Sequence, residues 1–211
     1  AALDKVIKRQ GHSAPFATQA PFYALIEFET RTQVTSVALA LFEQCAAQGW
    51  VLDGVVSQSL AQTRALWRLR EDISETLWHW QPYKNDISVR VSKMSDFLAE
   101  VDQLVAARYP DFEIVWYGHI GDGNLHLNIL KPQDLPQTDF FERCGAVSLE
   151  IGELLERYGG SISAEHGVGL LKKSLLPYSR SPVEIALMRS IKKTFDPKSI
   201  LNPGKVFDAL V

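Results

Sequence analysis

An Asp-Gly pair between two runs of β-forming residues restricts the fold of this chain more than any other sequence feature. Asp122 and Gly123 separate the runs FEIVWYGHI and NLHLNIL, and Asp-Gly favours a two-residue turn between antiparallel strands. With that turn, His119 would lie directly opposite His126, with Cβ atoms about 4.5–5.5 Å apart. Two imidazoles at this distance can bind one metal ion. The sequence therefore predicts a hairpin that carries a pair of histidines.

The alternation of residue types along the hairpin predicts two unlike faces. Successive side chains of a strand point to opposite faces of the sheet. One predicted face is apolar and contains Ile114, Trp116, Gly118, Ile120, Leu125, Leu127 and Ile129. The other contains Tyr117, His119, His126 and Asn128. We interpret the first face as core and the second as a site. The alternative is that both histidines are simply solvated on a polar face.

A third candidate ligand lies in the glycine-rich segment GGSISAEHGVG, residues 159–169. Small residues flank Glu165 and His166, so a neighbouring backbone or a ligand can approach them closely. Two histidines and one carboxylate suit Zn²⁺, and equally a non-haem Fe(II) or Mn(II) centre. A phosphate-binding loop is the competing interpretation, but the pattern GxxxxGK[ST] is absent.

A second group of candidate binding residues consists of Arg70, Ser74 and Lys84. Arg70 and Ser74 are four residues apart on a helix predicted from Ser59 to about Trp78, so they share a helix face, and Lys84 begins the next strand. Two cations and a hydroxyl would make a clamp for a carboxylate. From these residues alone, solvated or locally paired side chains remain the competing interpretation.

Strands that alternate with helices and end in a hairpin predict an α+β fold. We expect a ferredoxin-like antiparallel sheet with helices on one face, plus a helical C-terminal extension, in one domain over residues 1–211. The predicted strands are 22–28, 50–56, 83–91, 112–120 and 124–130, and the predicted helices are 33–48, 59–78, 95–107, 138–158 and 182–194.

Composition narrows the class of protein and its compartment. Lys and Arg total 22 against 25 Asp and Glu, a net charge of −3 without a basic run, which disfavours a nucleic acid partner. Cys45 and Cys144 are the only cysteines and show no CxxC spacing, as expected in a reducing compartment, so we expect the cytoplasm. No apolar run approaches the roughly 20 residues of a membrane span.

Three motifs give the chain a family resemblance. WYGHIGDGNLHLNI, ISAEHGVGLLKK and DPKSILNPGK occur in this order, and ALWRLREDISE followed by YKNDISV precedes them. Together they resemble the C-terminal half of the FAD-dependent D-2-hydroxyacid dehydrogenases. These are the D-2-hydroxyglutarate dehydrogenase, D-lactate dehydrogenase and glycolate oxidase subunit group of the vanillyl-alcohol-oxidase-like flavoproteins. The resemblance covers nearly all of the chain.

The resemblance implies a role for each candidate residue. The implied metal ligands are His119, His126 and Glu165, with His166 as the catalytic base beside them. The implied substrate-binding residues are Arg70, Ser74, Lys84 and Asn128, and Asn202 would approach the flavin.

The resemblance also implies two cofactors and a set of partners. FAD would be held mainly by an N-terminal domain outside these 211 residues, and Zn²⁺ is our first choice of divalent metal. The expected partners are a small 2-hydroxy acid and that FAD-binding domain, and we also allow for a homodimer. A His₂Glu non-haem metal oxygenase and a non-catalytic assembly subunit are the alternatives.

Overall fold

The computed structural model describes residues 1–29 and 34–208. Contacts divide the described chain into two units, Ala1–His79 and Trp80–Val211. No helix of the described residues is both long enough and apolar enough to cross a bilayer.

The first unit is helical. It contains α1 (Ala2–Gln10), α2 (Val34–Ala47), α3 (Leu60–Glu71) and α4 (Ile73–Trp78). Its buried apolar side chains come from α1, α3 and α4, and they are Val6, Leu69, Ile73 and Leu77.

Three predictions for this unit need correction. Residues 22–28 and 50–56 form no strand in the described part of the unit, so both strand predictions are wrong. Phe22 and Trp50 are 83% and 75% exposed, and strand-forming residues make a strand only where a neighbouring strand can pair with them. The helix predicted over 59–78 is interrupted at Asp72, whose carboxylate lies 2.7 Å from His12 Nε2. The α2 prediction is confirmed from residue 34 onward, while residue 33 lies outside the described residues.

The second unit contains the sheet. Its elements are β1 (Tyr83–Ser88), α5 (Met94–Arg108), β2 (Ile114–His119), β3 (Asn124–Ile129), α6 (Gln137–Tyr158) and α7 (Pro182–Phe195). The strands form an antiparallel sheet in the order β1-β3-β2. An isolated antiparallel bridge joins Ser88 to Ser161 after α6, where a ferredoxin-like fold has its fourth strand. The predicted α+β class is confirmed, and α7 is the helical C-terminal extension.

The core lies on one face of the sheet. Ile87, Leu125, Leu127 and Ile129 project from the strands, and residues of α5 and α6 such as Phe97 and Phe140 pack with them. Burial of each such side chain contributes roughly 1.5–3 kcal/mol. Both helices therefore cover the same face, and the opposite face is left for polar side chains.

The hairpin register differs from the prediction. His126 pairs with Tyr117, and His119 pairs with Asn124, so the predicted direct pairing of His119 with His126 is wrong. The turn spans 120–123 instead of only Asp122 and Gly123, because Asp122 Oδ1 accepts the Asn124 N–H at 3.1 Å and closes the turn through a side chain. A shift of two positions preserves alternation, so every residue keeps its predicted face.

The turn depends on glycine at position 123. Gly123 has φ 77°, and a Cβ there would lie 1.9 Å from Val89 O, whereas a Cβ on Gly121 would have no neighbour within 4 Å. The left-handed backbone costs an alanine about 1–2 kcal/mol, and overpacking adds about 1–3 kcal/mol. Urea unfolding of the full-length protein should therefore show Gly123→Ala to be destabilised by about 2–5 kcal/mol. Gly121→Ala is the matched control, and equal losses in the two variants would contradict this turn geometry.

Candidate metal and substrate site

The face opposite the helices gathers polar side chains from all three strands. In the observed register, Asp86 of β1 and Tyr117 of β2 lie on either side of His126, the β3 residue with which both pair. Lys84 pairs in the same way with Asn128. Alternation along each strand places these residues together, as the hairpin pattern predicts.

His119, His126 and Glu165 form a cluster on this face. Each offers one ligand atom, and these atoms lie within 4.8 Å of one another. His119 Nδ1 is 3.2 Å from Glu165 Oε1, and His126 Nε2 is 3.9 Å from Glu165 Oε2. The His126 side chain is 10% exposed, while those of His119 and Glu165 are each 48% exposed. One ligand is thus anchored in the sheet, and the other two border solvent.

The spacing and chemistry of the cluster fit a divalent transition metal. Ligand atoms that each lie about 2.0–2.2 Å from a tetrahedral zinc ion are about 3.3–3.6 Å apart. His119 and His126 lie 3.2 and 3.9 Å from different oxygens of Glu165, close to that range, and the three candidate ligand atoms lie within 4.8 Å of one another. Two imidazole nitrogens and one carboxylate also form one of the three-ligand sets of catalytic zinc sites, which keep a position open for water or substrate.

The glycine-rich segment reaches the sheet through close backbone contacts. Ser161 and Ser88 exchange two backbone hydrogen bonds, of 2.8 and 3.0 Å. A Cβ on Gly160 would lie 2.6 Å from Ser88 O, so a larger residue would push the segment away. Gly160 therefore lets the segment lie against β1, and Glu165 lies near the histidines in the same segment.

The sequence analysis missed three residues that support this cluster. Asn124 Nδ2 donates a hydrogen bond to Glu165 Oε1 and lies 3.4 Å from His119 Nδ1. Lys172 donates to the carbonyl oxygens of Asp86 and Ile162, at 3.0 and 2.9 Å, and so ties the segment to β1. Asp86, the third of these residues, lies beneath the cluster. Alternation in YKNDISV does place Asp86 on the same face as Lys84, but the sequence does not reveal that β1 lies beside β3.

Asp86 is a buried carboxylate, 1% exposed. Burial alone would raise the pKa of its carboxyl group. The backbone N–H groups of His166 and Glu165, together with electrostatic interactions with His166 and the ammonium group of Lys172, outweigh burial and lower the pKa. The group is therefore an anion beneath the cluster.

His166 lies at the edge of the cluster. Its side chain is 52% exposed, its Nδ1 is 3.7 Å from Asp86 Oδ2, and its ring centroid is 6.0 Å from that of His126. Asp86, His126 and His166 also have the spacing of a metal-binding group. We favour the set with Glu165 because a catalytic metal must be reached by its substrate, and the Glu165 side chain is 48% exposed whereas that of Asp86 is 1% exposed. In that set His166 is not a metal ligand, so its imidazole is free to act as an acid or a base.

Lys84 and Asn128 lie next to the cluster on paired positions of β1 and β3. Asn128 is fully buried, and its Nδ2 donates to the carbonyl oxygens of Val115 and His126. Burial lowers the pKa of the Lys84 ammonium group because it disfavours the charged form. An anionic ligand beside Lys84 would favour the charged form of its ammonium group.

The remaining candidate residues lie elsewhere in the chain. Arg70 belongs to α3 and Ser74 to α4, both in the first unit, whereas Lys84 belongs to β1 of the second unit. Asn202, with φ 46°, lies in the turn that follows α7. The carboxylate of Asp196 holds this turn by accepting the N–H groups of Ile200 and Leu201. The roles of Arg70, Ser74 and Asn202 stay predictions.

Comparison with known proteins identifies the family. The family described as FAD linked oxidases, C-terminal domain, matches residues 1–206. The chain therefore belongs to this family, which confirms the resemblance found in the motifs.

Several curated relatives are similar over almost the whole chain. A D-2-hydroxyglutarate dehydrogenase of Stutzerimonas stutzeri is 58% identical over 209 residues, covering 99% of this chain and 45% of the relative. One from Xanthomonas citri pv. viticola is 53% identical, covering 98% and 44%. The mitochondrial D-2-hydroxyglutarate dehydrogenase of Danio rerio is 38% identical, covering 89% and 34%. The chain thus spans less than half the length of these relatives.

Substitutions of two adjacent lysines, Lys172 and Lys173, test which contacts hold the glycine-rich segment against the sheet. Lys172→Met removes the donor to two carbonyl oxygens and a cation 3.8 Å from Asp86 Oδ2. Leaving these partly buried groups unpaired should lower the free energy of unfolding by roughly 2–4 kcal/mol. Lys173 pairs instead with Asp208, whose side chain is 86% exposed, so Lys173→Met should unfold at nearly the wild-type urea concentration. Equal losses would mean that Lys172 does not anchor the segment.

Proposed function

We propose that the full-length protein is an FAD-dependent dehydrogenase that oxidises a D-2-hydroxy acid, of the D-2-hydroxyglutarate or D-lactate type, to the 2-oxo acid. This chain would supply the metal- and substrate-binding part. The observation that carries the proposal is the cluster of His119, His126 and Glu165 beside His166. It occurs in a chain that belongs to the FAD-linked oxidase family and is 58% identical to a D-2-hydroxyglutarate dehydrogenase.

The metal proposal assigns His119, His126 and Glu165 as ligands, with Zn²⁺ as the first choice. A bound divalent ion would chelate the 2-hydroxyl and the carboxylate of the substrate and lower the pKa of the hydroxyl. The half-exposed side chains of His119 and Glu165 leave the cluster accessible from solvent, as a substrate site requires.

His166 is the proposed general base. Its half-exposed imidazole, next to the ring of His126, could accept the proton of the 2-hydroxyl. When bound, FAD would take the C2 hydrogen with its electron pair, as a hydride. Loss of that hydride together with the proton converts the alcohol to a ketone. FAD would be held mainly by the part of the protein outside this chain, with Asn202 approaching the flavin.

The proposed substrate contacts are made by Lys84, Asn128, Arg70 and Ser74. Lys84 and Asn128 lie on paired strand positions beside the cluster, and Arg70 with Ser74 would complete the clamp. A clamp that reaches a distal carboxylate favours a diacid such as D-2-hydroxyglutarate over D-lactate. Membership of the FAD-linked oxidase family favours this function over a His₂Glu oxygenase or an assembly subunit. We propose the cytoplasm as the compartment.

Substitution of His126 and substitution of His166 should have different effects in the full-length protein. His126→Ala should lose the bound metal, measured by elemental analysis after purification without chelator. His166→Ala should keep the metal but lower kcat by about 10²- to 10⁴-fold, the scale for a lost general base. The exposed histidine His79 provides the control, and His79→Ala should retain both metal and activity. Full metal content in His126→Ala would contradict the ligand assignment.

Arg70→Ala tests the clamp and the substrate class. Loss of a charge-assisted hydrogen bond should weaken substrate binding by about 1.5–3 kcal/mol. The loss, measured from KM in the full-length protein, should be much larger for D-2-hydroxyglutarate than for D-lactate if Arg70 binds the distal carboxylate. Arg64→Ala, an exposed arginine of the same helix, is the control. Equal losses would assign Arg70 to the carboxylate that both substrates share, and no loss on either would remove it from the site.

A further inference from the structure

The two oxygens of the Asp86 carboxylate face different parts of the site. Oδ2 accepts the backbone N–H groups of Glu165 and His166, each at 2.9 Å, and the hydroxyl of Ser163 at 3.4 Å. The ammonium group of Lys172 is 3.8 Å from the same oxygen. This oxygen therefore fixes the backbone of two residues that the proposed function uses.

The other oxygen, Oδ1, faces His126. This oxygen is buried and accepts no hydrogen bond within the described residues. His126 Nδ1 is 3.4 Å away, and His126 Nε2 points instead toward Glu165 Oε2, at 3.9 Å. A neutral imidazole carries its proton on only one nitrogen. A carboxylate next to Nδ1 favours the proton there, which leaves the Nε2 lone pair directed at the cluster.

We propose that Asp86 is a positioning residue, which selects the Nδ1–H tautomer of His126 and holds the Glu165–His166 backbone so that the proposed ligand atoms converge. The proposal rests on the metal site of the proposed function. Histidines that bind metals commonly donate their second ring N–H to a carboxylate, and this contact orients the ring. Asp86 is placed for this role toward one proposed ligand, with Oδ1 3.4 Å from His126 Nδ1, while it anchors the backbone of another.

A second buried carboxylate provides a close comparison. Asp196 is 4% exposed, accepts two backbone N–H groups at 3.0 Å and pairs with Lys192 at 2.6 Å. Asp86 resembles it in burial, in its two backbone donors and in its lysine neighbour. Asp86 differs because a histidine ring faces its second oxygen. If the role of Asp86 were only to support the local backbone, Asn substitutions at the two positions should have similar effects.

Asp86→Asn separates the two roles of the residue. The amide oxygen of the substituted side chain can still accept the N–H groups of Glu165 and His166, but its amide nitrogen presents an N–H donor to His126. That donor favours the tautomer with the proton on Nε2, which then cannot bind a metal through that atom. The expected result is a loss of zinc affinity by about 10- to 100-fold, with the fold retained.

The experiment uses the full-length protein with ¹⁵N-labelled histidine. The ¹⁵N spectrum of metal-free wild type should show His126, identified by its absence in His126→Ala, as the Nδ1–H tautomer, and Asp86→Asn should shift it to Nε2–H. Competition with a chromogenic chelator then measures zinc affinity in the wild type, in Asp86→Asn and in the control Asp196→Asn. The control should match the wild type in both measurements.

Each result of the tautomer and zinc-affinity measurements either supports or overturns the proposal. An Nε2–H tautomer in the wild type would overturn the proposal even if Asp86→Asn failed to fold. Wild-type zinc affinity in a folded Asp86→Asn would overturn it while leaving the proposed function intact. A wild type that binds no zinc would instead overturn the metal site, and with it the metal-positioning role of Asp86.

Discussion

The pairing of β3 with both of its neighbours is the interaction on which the rest of the second unit depends. All six residues from Asn124 to Ile129 are buried, because β1 and β2 flank the strand and helices cover one of its faces. Alternation then sends Leu125, Leu127 and Ile129 into the core and the intervening residues to the opposite face. The position of His126 thus follows from the same pairing that forms the core.

The sequence predicts the faces of the hairpin better than its register. Alternation alone assigns His119 and His126 to one face, and a shift of two positions preserves that assignment. The direct pairing fails because the Asp122 side chain closes a longer turn than the Asp-Gly pair suggests. The importance of Asp86 could not be predicted, since its contacts with His126, Glu165 and His166 join segments that are distant in sequence. The strand predictions for 22–28 and 50–56 also depend on distant contacts. These segments contain strand-forming residues, but among the described residues no neighbouring strand pairs with them.

Some residues of the site are buried in the sheet, and others border solvent. His126 and Asp86 are buried in the sheet, while His119, Glu165 and His166 are about half exposed. Backbone contacts at Ser161 and Gly160, together with Lys172, bring the glycine-rich segment to the sheet. This arrangement suits a centre that must hold its ligands in place and still admit a small anionic substrate. The chain belongs to the FAD-linked oxidases, and the proposed division of labour leaves flavin binding mainly to the remainder of the protein.

His119, His126 and Glu165 are proposed to converge on one metal ion. X-ray absorption at the zinc K-edge, on full-length protein loaded with one equivalent of zinc, tests this convergence. We predict nitrogen and oxygen scatterers at about 2.0–2.2 Å, no sulfur at about 2.3 Å, and the outer-shell signal of two imidazole rings. His126→Ala, which loses the bound metal, should not give this signal. A spectrum with sulfur ligands, or one without imidazole in the wild type, would contradict the account.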